Sequence, residues 1–585
     1  MLSLLKNMQK KDVLLLIPAL AFIVFQVWLD LKLPDYMSEI TRLVETEGSA
    51  MNDILTAGGK MLGCALGSLV SAVTVAVISA RLGTNFSAVL RERIFRKVQD
   101  FSMEEIADFS TASLITRTTN DIQQVQMLII MGLQAIVKAP IMAVWAIIKI
   151  YNKNLEWTLT TGAAIVLLLI IVIISLALVG PKFRQMQRLT DDLNRVTREN
   201  ITGLNVVRAY NAEGYQGKKF HDANVALTDT NLFAFRTMAF MMPSIALVMN
   251  GLTLSIYWIG ALLIANATLS GKLTLFSNMV VFSAYAMQII MAFFMLVMIF
   301  MLWPRASVAG KRILAVLNTV VHITDGHKDT SAVTARGELQ FDDVSFRYPD
   351  AEKAVVEHIS FSAKRGQTVA LIGATGCGKS TILNLIPRFY DVTEGAILVD
   401  GVDVRDYTQH ALRSKMGYVA QKAVLFSGDI ASNIAFGDNG GAPPSEDDIK
   451  EAIAIAQSTD FVEAQEGQYH GNVAQGGSNF SGGQKQRLSI ARAIAKKPEF
   501  LLFDDSFSAL DYKTDAELRE ALRTHLADVT KIIVAQRIGT IRDADLILVL
   551  DEGRVVGEGT HDDLMASCEV YQQIAYSQLS KEELA

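Results

Sequence analysis

The chain of 585 residues carries a formal net charge of −6 and has a pI of about 5.9. This length predicts several domains, and the negative balance provides no broad basic field, so we expect no nucleic-acid partner. Long apolar runs lie almost entirely before residue 305, whereas residues 337–585 have the composition of a soluble domain. The sequence therefore predicts a membrane domain at 1–303, a linker at 304–336 and a soluble domain at 337–585.

Six apolar stretches are long enough to cross a bilayer core of roughly 30 Å, which takes about 20 helical residues. They lie near 13–31, 55–79, 126–150, 157–180, 238–267 and 273–303. The sequence thus predicts an all-α membrane domain of six spans that is in contact with the lipid bilayer.

Charge sets the predicted orientation of these spans. The segments after spans two and four are rich in Arg and Lys, while the segment between spans one and two is mostly acidic. The positive-inside rule therefore places the two basic segments, both chain ends and the soluble domain in the cytoplasm. Both basic segments are mostly helix-forming, which predicts helical extensions of the spans, each with a short crosswise helix, at Met103–Leu114 and at Asn211–Phe220.

Two features within the spans are candidates for a substrate cavity. Lys138 lies deep in span three, close to Pro140, so we expect it to face the bundle interior or a wet cavity. Met287, Met291 and Met295 recur at helical spacing in span six, and such polarizable side chains suit a surface that binds varied molecules. Lipid contact or helix packing explains the same spacing, and the sequence leaves both interpretations open.

A glycine-rich loop follows the β-prone segment 368–372 and precedes a helical segment at 382–389. Its residues, Gly373 to Thr381, fit the pattern G-x-x-x-x-G-K-[ST]. In this setting backbone N–H groups and the helix N-terminus face phosphates. Lys379 is predicted to reach the β- and γ-phosphates, and the Ser380 hydroxyl to ligate Mg²⁺. The sequence therefore predicts a site for a nucleoside triphosphate.

Further motifs in the soluble part suit the same ligand. Tyr348 ends a strand-like segment at 339–348 and can stack on the nucleotide base. Asp504 ends the apolar segment 499–503, where a carboxylate can hold Mg²⁺. The run Ser481-Gly482-Gly483-Gln484 precedes a helical segment, which predicts a second anion-binding helix N-terminus for a γ-phosphate.

These motifs resemble the nucleotide-binding domain of ABC transporters, and with its six spans the whole chain resembles a half-transporter of the exporter type. The resemblance implies an α/β P-loop domain with a helical subdomain. It also implies a dimer that holds two ATP molecules, each between the phosphate loop of one domain and the Ser-Gly-Gly-Gln signature of the other. The implied ATP-binding residues are Tyr348, Gly373, Ala374, Thr375, Gly376, Cys377, Gly378, Lys379, Ser380, Thr381 and Gln421; the metal ligands are Ser380, Gln421 and Asp504; the signature is Ser481, Gly482, Gly483 and Gln484; and the D-loop residues are Ser508 and Asp511.

Two residues depart from the family pattern at catalytic positions. The family's water-polarising Glu is replaced by Asp505, and its switch His by Gln536. Asp is one methylene shorter, and a misplacement of about 1 Å can cost around 10²-fold in rate. Gln has no imidazole to carry charge. We therefore predict the degenerate half of a heterodimer, resembling bacterial multidrug exporters, whose partner supplies the Glu and the His. The alternative is a homodimer whose sites work with Asp and Gln.

The expected function is ATP-driven export of amphipathic small molecules by alternating access across the cytoplasmic membrane, with Mg²⁺ as the cofactor of ATP. A lipid or peptide exporter would have the same domain architecture. A channel that is gated rather than pumping is a further alternative. The six spans argue against a soluble ABC ATPase that acts on nucleic acid.

Overall fold

The computed structural model describes residues 2–6, 8–46, 48–151, 154–329, 336–349, 351–439 and 441–578. Residues 330–335, in the predicted linker, lie outside the described residues. The chain forms two compact units: Met1–Gln99 with Thr111–Asn318, and Asp100–Ser110 with Thr319–Ala585. We call them the membrane unit and the ATPase unit.

Long helices build the membrane unit. Its helices are α1 (Leu2–Leu5), α2 (Lys10–Glu45), α3 (Met51–Gln99), α5 (Thr111–Thr116), a π-helical turn at Arg117–Asp121, α6 (Ile122–Tyr151), α7 (Leu155–Thr202), α8 (Leu204–Ala209), α9 (Glu213–Ala265) and α10 (Leu269–Asn318), while α4 (Met103–Asp108) belongs to the ATPase unit. Among the described residues, six helical segments are long and apolar enough to span a membrane. This agrees with the predicted six-span architecture.

Several of these helices extend well beyond the predicted spans. Helix α9 has 53 residues and α3 has 49, whereas a bilayer crossing takes about 20. Helix α10 continues through Pro304 to Asn318, so residues 304–318, assigned to the linker from sequence, are helical. The extension keeps a buried face of Ala309, Ile313 and Val316, and this helical periodicity sustains the helix beyond the proline.

The short helices outside the predicted spans differ from the prediction in both segments. Helix α4 begins at Met103, as predicted, but ends at Asp108 instead of Leu114, and a separate helix, α5, begins at Thr111. In the second segment the short helix is α8, Leu204–Ala209, and residues from 213 onwards already belong to α9. Asn211 adopts a φ of 50°, a left-handed conformation that Asn tolerates. The break is therefore at Asn211, and the predicted helix at Asn211–Phe220 is wrong in its bounds.

The ATPase unit is built on three β-sheets. A six-stranded sheet has the order β12-β11-β3-β10-β9-β6, a four-stranded sheet the order β2-β1-β4-β5, and β7 pairs with β8. The strands are β1 (Leu339–Phe346), β2 (Val356–Ala363), β3 (Thr368–Gly373), β4 (Glu394–Val399), β5 (Val402–Asp403), β6 (Met416–Val419), β7 (Gly428–Asp429), β8 (Asn472–Val473), β9 (Phe500–Asp504), β10 (Thr530–Val534), β11 (Leu546–Asp551) and β12 (Arg554–Gly559). In the larger sheet all neighbouring strands are parallel except β11 and β12.

Hydrophobic residues cover both faces of the six-stranded sheet. Ile533 packs in one core cluster, while Ile532 and Val534 pack in the other, as expected for side chains that alternate along a strand. The helices are α11 (Lys379–Leu385), α12 (Gln409–Ser414), α13 (Ile430–Ile434), α14 (Glu446–Ile455), α15 (Thr459–Glu463), α16 (Gly482–Ala495), α17 (Tyr512–His525), α18 (Ile538–Ile541), α19 (His561–Ser567) and α20 (Glu569–Gln578). An α/β domain thus follows the six-span domain, and the predicted fold class is confirmed.

Candidate nucleotide-binding site

The glycine-rich loop joins β3 to α11 and has a backbone that requires glycine at two points. Gly373 has a φ of +155°, and a Cβ there would lie 2.1 Å from the carbonyl oxygen of Leu550. Gly378 has a φ of +97°, and its Cβ would lie 2.5 Å from Cγ1 of Val356. The chain therefore reaches the start of α11 along a path that only glycine permits.

The side chain of Lys379 lies inside this loop. Its Nζ donates to the carbonyl oxygens of Gly373, at 2.8 Å, and Ala374, at 2.7 Å. Residues 374–376 are exposed, whereas Cys377 packs into the core beside Lys379. The arrangement brings an ammonium group and the N-terminus of α11 to an open loop. Both are groups that bind phosphate.

Two oxygen ligands of the predicted metal site are already adjacent. The Ser380 hydroxyl donates to Oδ1 of Asp504 over 2.6 Å. Mg²⁺ prefers oxygen ligands, and at nucleotide sites it takes one or two from protein and others from phosphates and water. The described residues contain no group of three or more His, Cys, Asp or Glu side chains that could hold a metal on its own. The pair fits a Mg²⁺ ion that arrives with a nucleotide.

Asp505 links the two other predicted catalytic elements. Its Oδ2 accepts hydrogen bonds from Nε2 of Gln536, at 2.8 Å, and from Nε2 of Gln421, at 3.2 Å. Burial raises the pKa of Asp505 above its ordinary value, although the hydrogen bond from Gln421 opposes this. Burial also raises the pKa of Asp504, and the charge of Asp505 adds to that rise. We call Gln421, Asp505 and Gln536 the amide–carboxylate triad.

The sequence missed a residue that fixes the backbone of the switch. Gln578, in α20, donates through Nε2 to the carbonyl oxygen of Gln536 (2.7 Å) and accepts from the N–H of Ile538 (2.9 Å). These bonds hold both sides of the segment that carries Gln536. No motif marks Gln578, because the contact depends on where a distant C-terminal helix packs.

The predicted base-stacking residue lies in an aromatic cluster. The Tyr348 ring meets Phe346 edge-on at 4.8 Å and Tyr390 edge-on at 5.2 Å. The Tyr348 hydroxyl lies 3.2 Å from Oγ1 of Thr381, at the start of α11. Tyr390 was not singled out from the sequence, since it follows α11 and has no ligand chemistry of its own.

We expect the Tyr348→Ala substitution to weaken ATP binding at this chain about tenfold, since base–aromatic stacking is worth about 1–3 kcal/mol. Tyr348→Phe keeps the ring and loses only the contact with Thr381, so its affinity should stay within about twofold. Photolabelling of this chain with an azido-ATP series measures both. Equal affinities for Ala and wild type would contradict the base-stacking role.

The predicted signature forms the N-terminus of α16. Ser481 is the N-cap: its N–H donates to Oε1 of Gln484 (2.9 Å), and the N–H of Gln484 donates to the Ser481 hydroxyl (3.3 Å). Ser481 and Gly482 are exposed, and a Cβ on Gly482 would meet no atom within 4 Å. Gly483 is half-buried. The signature is thus a preformed helix N-terminus that faces away from its own core.

The predicted D-loop is held by hydrogen bonds to Asp505 and Arg537. The Ser508 hydroxyl donates to the carbonyl oxygen of Asp505 (2.9 Å), and Asp511 caps α17 through the N–H of Thr514 (3.0 Å). Arg537, which the sequence did not single out, donates to the carbonyl oxygens of Ser508 and Leu510. The residue after the switch glutamine therefore also holds the D-loop.

In the membrane unit, Lys138 forms an ion pair. Its Nζ lies 3.1 Å from Oδ2 of Asp30 in α2, and both side chains are largely buried, at 17% and 18% exposure. The Gln288 amide donates to the backbone carbonyl of Asp30 (3.1 Å), which has lost its helical partner because Pro34 carries no N–H. Asp30 lies at the edge of the predicted first span and was not singled out from the sequence.

The three methionines do not share one environment. Met295 is half-buried against the core of the membrane unit, whereas Met291 is 48% exposed. Met287 is half-buried. The spacing in α10 therefore serves helix packing at Met295 and leaves Met291 on the surface of the single chain.

We expect Lys138→Met to destabilise the protein by about 3 kcal/mol, because it leaves the Asp30 carboxylate buried without its cation. The double variant Lys138→Met, Asp30→Asn should regain most of that loss. Thermal unfolding in detergent, followed by size-exclusion chromatography, measures both, with Lys60→Met at an exposed position as the control. A double variant as unstable as the single one would contradict the pairing.

The fold and the loop define an ATPase-coupled membrane transporter. Sequence models of two families match the chain: ABC transporter over residues 356–508, and ABC transporter transmembrane region over residues 14–303. An uncharacterised ABC transporter ATP-binding protein of Mycobacterium tuberculosis is 40% identical over 553 residues, 93% of each chain. The chain belongs to the ABC transporter family and is an exporter half-transporter, with membrane and ATPase domains fused.

Two further relatives carry more specific descriptions. An ATP-dependent lipid A-core flippase of Pseudomonas fluorescens is 32% identical over 485 residues, which cover 83% of this chain and 79% of the flippase. A solved bacterial Atm1-family ABC exporter with ATP bound has a TM-score of 0.79 and 25% identity, and the match covers 97% of each chain. The chain is therefore an integral membrane protein whose ATPase activity drives transport.

Proposed function

We propose that this chain is the half of a heterodimeric exporter whose own ATP site hydrolyses slowly. The observation that carries the proposal is the amide–carboxylate triad: one oxygen of Asp505 accepts from both Gln421 and Gln536. A catalytic carboxylate must present an oxygen to water, and its hydrogen-bond geometry decides the rate. Here the shorter Asp side chain is drawn toward two amide donors, and no imidazole stands opposite it.

The proposal assigns the competent site to a partner. The signature Ser481–Gln484, which is exposed at Ser481 and Gly482, supplies donors to the ATP on the partner's phosphate loop, and the partner supplies a Glu and a His. This chain's own loop, with Lys379, Ser380 and Asp504, holds ATP and Mg²⁺ for longer than one transport cycle. The basic segments after the second and fourth spans support an orientation with the ATPase unit in the cytoplasm, and the bacterial relatives support a bacterial membrane.

The proposed substrate is an amphipathic small molecule, as for multidrug exporters. Support comes from the exposed Met291 in α10, since a thioether side chain adapts to varied apolar ligands. A lipid is the second candidate, favoured by the 32% identity to a lipid A-core flippase. Both candidates are amphiphiles. They differ in the polar group that must cross the membrane.

Subunit composition tests the heterodimer. The complex is purified through a tag on this chain from its native membrane, and its mass is measured by native mass spectrometry. Two different ATPase-bearing chains in equal amounts support the proposal. A complex of two copies of this 64.1 kDa chain would mean that sites with Asp505 and Gln536 carry out the ATP hydrolysis that drives transport.

Reconstituted vesicles separate the substrate candidates. Uptake of ethidium against its gradient with ATP supports a drug exporter, whereas ATP-dependent movement of NBD-labelled phosphatidylethanolamine between leaflets supports a lipid exporter. Movement that follows the gradient and never exceeds equilibrium would indicate a channel.

A further inference from the structure

Gln421 belongs to the amide–carboxylate triad, yet it lies outside the helices and strands. Strand β6 ends at Val419, and Gln421 follows two positions later as an exposed residue. Its Nε2 donates to Oδ2 of Asp505 over 3.2 Å, and its amide oxygen is the atom that a Mg²⁺ ion would take. The place of this oxygen therefore depends on what fixes the backbone just before Gln421.

A buried amide on the helix of the signature reaches that backbone. Gln486 lies in the second turn of α16 and is 2% exposed. Its Nε2 donates to the carbonyl oxygen of Ala420 over 3.1 Å. This oxygen belongs to the peptide group that joins Ala420 to Gln421. Because a peptide group is planar, a bond that holds its oxygen also restricts the direction in which Gln421 leaves it.

The preceding carbonyl is held from a different element. Ser506, which follows Asp505 in sequence, is fully buried. Its hydroxyl donates to the carbonyl oxygen of Val419 over 3.1 Å. The end of β6 is thus joined by Ser506 to the segment that carries Asp505, and the next peptide group is joined by Gln486 to α16. Of these two bonds, the one from Gln486 acts on the peptide group that leads directly into the triad.

A second side chain joins α16 to the opposite end of the same strand. Lys496, just after α16, donates through Nζ to the carbonyl oxygens of Met416, at 3.1 Å, and Arg413, at 2.7 Å. Met416 begins β6, so this contact lies roughly 13 Å along the chain from Ala420. Strands β6, β9, β10 and β3 are parallel, so their carboxyl ends share the edge with the glycine-rich loop. The Gln486 contact lies at that edge, and the Lys496 contact lies at the other.

We propose that Gln486 is a positioning residue of this chain's own ATP site. It fixes the peptide group before Gln421, so that the Gln421 amide is placed for both Asp505 and Mg²⁺. The inference rests on the Mg²⁺ role implied for Gln421. It goes beyond the proposed function, because it assigns a task at this site to a residue of the helix that presents the signature. Gln486, which is buried, acts only through Gln421.

Gln486→Met tests the proposal, because methionine has nearly the same length but no N–H to donate. The complex is purified from its native membrane through a tag on this chain, and photolabelling of this chain with azido-ATP is titrated with Mg²⁺. We expect the Mg²⁺ concentration for half-maximal labelling to rise about fivefold, a change that the loss of one hydrogen bond can produce. Labelling in EDTA should stay within about twofold of wild type. Gln486→Asn, whose amide is one methylene shorter, should give the same rise and serves if the methionine variant does not assemble.

A double-mutant cycle separates positioning from general packing. Gln421→Ala should raise the same Mg²⁺ concentration at least about fivefold, and adding Gln486→Met should raise it no further. Lys496→Met is the matched control, since it removes the bonds between α16 and β6 at the other end of the strand. It should leave the Mg²⁺ concentration within about twofold of wild type.

Three outcomes would overturn the inference: no rise in Gln486→Met, a rise that adds to that of Gln421→Ala, or an equal rise in Lys496→Met. A Gln421→Ala variant with unchanged Mg²⁺ dependence would overturn the Mg²⁺ role of Gln421, and the inference with it. The labelling is read on this chain whatever its partner is, whereas native mass spectrometry decides the heterodimer. A failure of the inference is therefore distinguishable from a failure of the proposed function.

Discussion

Replacing Gly482 by Asp should reduce the ATPase activity of the proposed heterodimer by at least about 100-fold. On the proposed assembly, the signature of this chain faces the γ-phosphate bound by the partner, where loss of a single stabilising donor already costs about 10²–10³ in rate. An added carboxylate brings a like charge to that phosphate. The chain itself tolerates the change, because a Cβ at Gly482 meets no atom within 4 Å and the residue is exposed.

The matched variants locate this effect in one of the two sites. Gly482→Ala adds a methyl group without charge and should cost less than about tenfold. Lys379→Ala, in the phosphate loop of the same chain, should also cost less than about tenfold, because it acts at the slow site. Steady-state phosphate release from the reconstituted complex measures all three variants. A Lys379→Ala variant as inactive as Gly482→Asp would contradict the asymmetric assignment.

The double substitution Asp505→Glu, Gln536→His should raise hydrolysis at this chain's own site by at least about tenfold. The longer carboxylate moves out by one methylene, and the imidazole replaces one of the two amide donors that now bind Oδ2 of Asp505. A misplacement of about 1 Å can lower the rate about 10²-fold, so we expect a large gain when the carboxylate is restored to its full length. The change is measured in a complex whose partner has lost its catalytic Glu.

Two controls accompany the double variant. Adding Lys379→Ala should return the activity to background, which assigns the gained hydrolysis to this phosphate loop. Gln536→His alone should gain little, since the carboxylate remains short. No gain in a double variant that still binds ATP with wild-type affinity would show that Asp505 and Gln536 are not what slows the site.

The architecture was predictable because it depends on signals local in sequence. Apolar stretches of sufficient length marked the six spans, and a glycine-rich loop between a strand and a helix marked the ATPase domain. Helix ends were less predictable. Pro304 looked like a boundary, yet α10 continues to Asn318 on a buried apolar face.

Residues that act through tertiary contacts left no local signal. Asp30 lies at the edge of a span, and its ion pair with Lys138 and its hydrogen bond from Ser68 both involve other helices. Gln578 and Tyr390 are ordinary residues by type, and packing alone brings them to the switch backbone and to Tyr348. The amide–carboxylate triad could be predicted only in part. The sequence singled out its three members, but it did not predict that both amides bind the same oxygen of Asp505.

The most direct measurement of the central claim is the fate of the γ-phosphate on each chain. The native complex, proposed to be a heterodimer, is allowed to turn over with azido-ATP labelled at the γ-phosphate or, in parallel, at the α-phosphate. It is then photolysed, and its two chains are separated by electrophoresis. We predict that this chain keeps both labels over many turnovers, while the partner keeps the α-label and loses the γ-label. Loss of the γ-label from this chain at the partner's rate would contradict a slow site at Asp505 and Gln536.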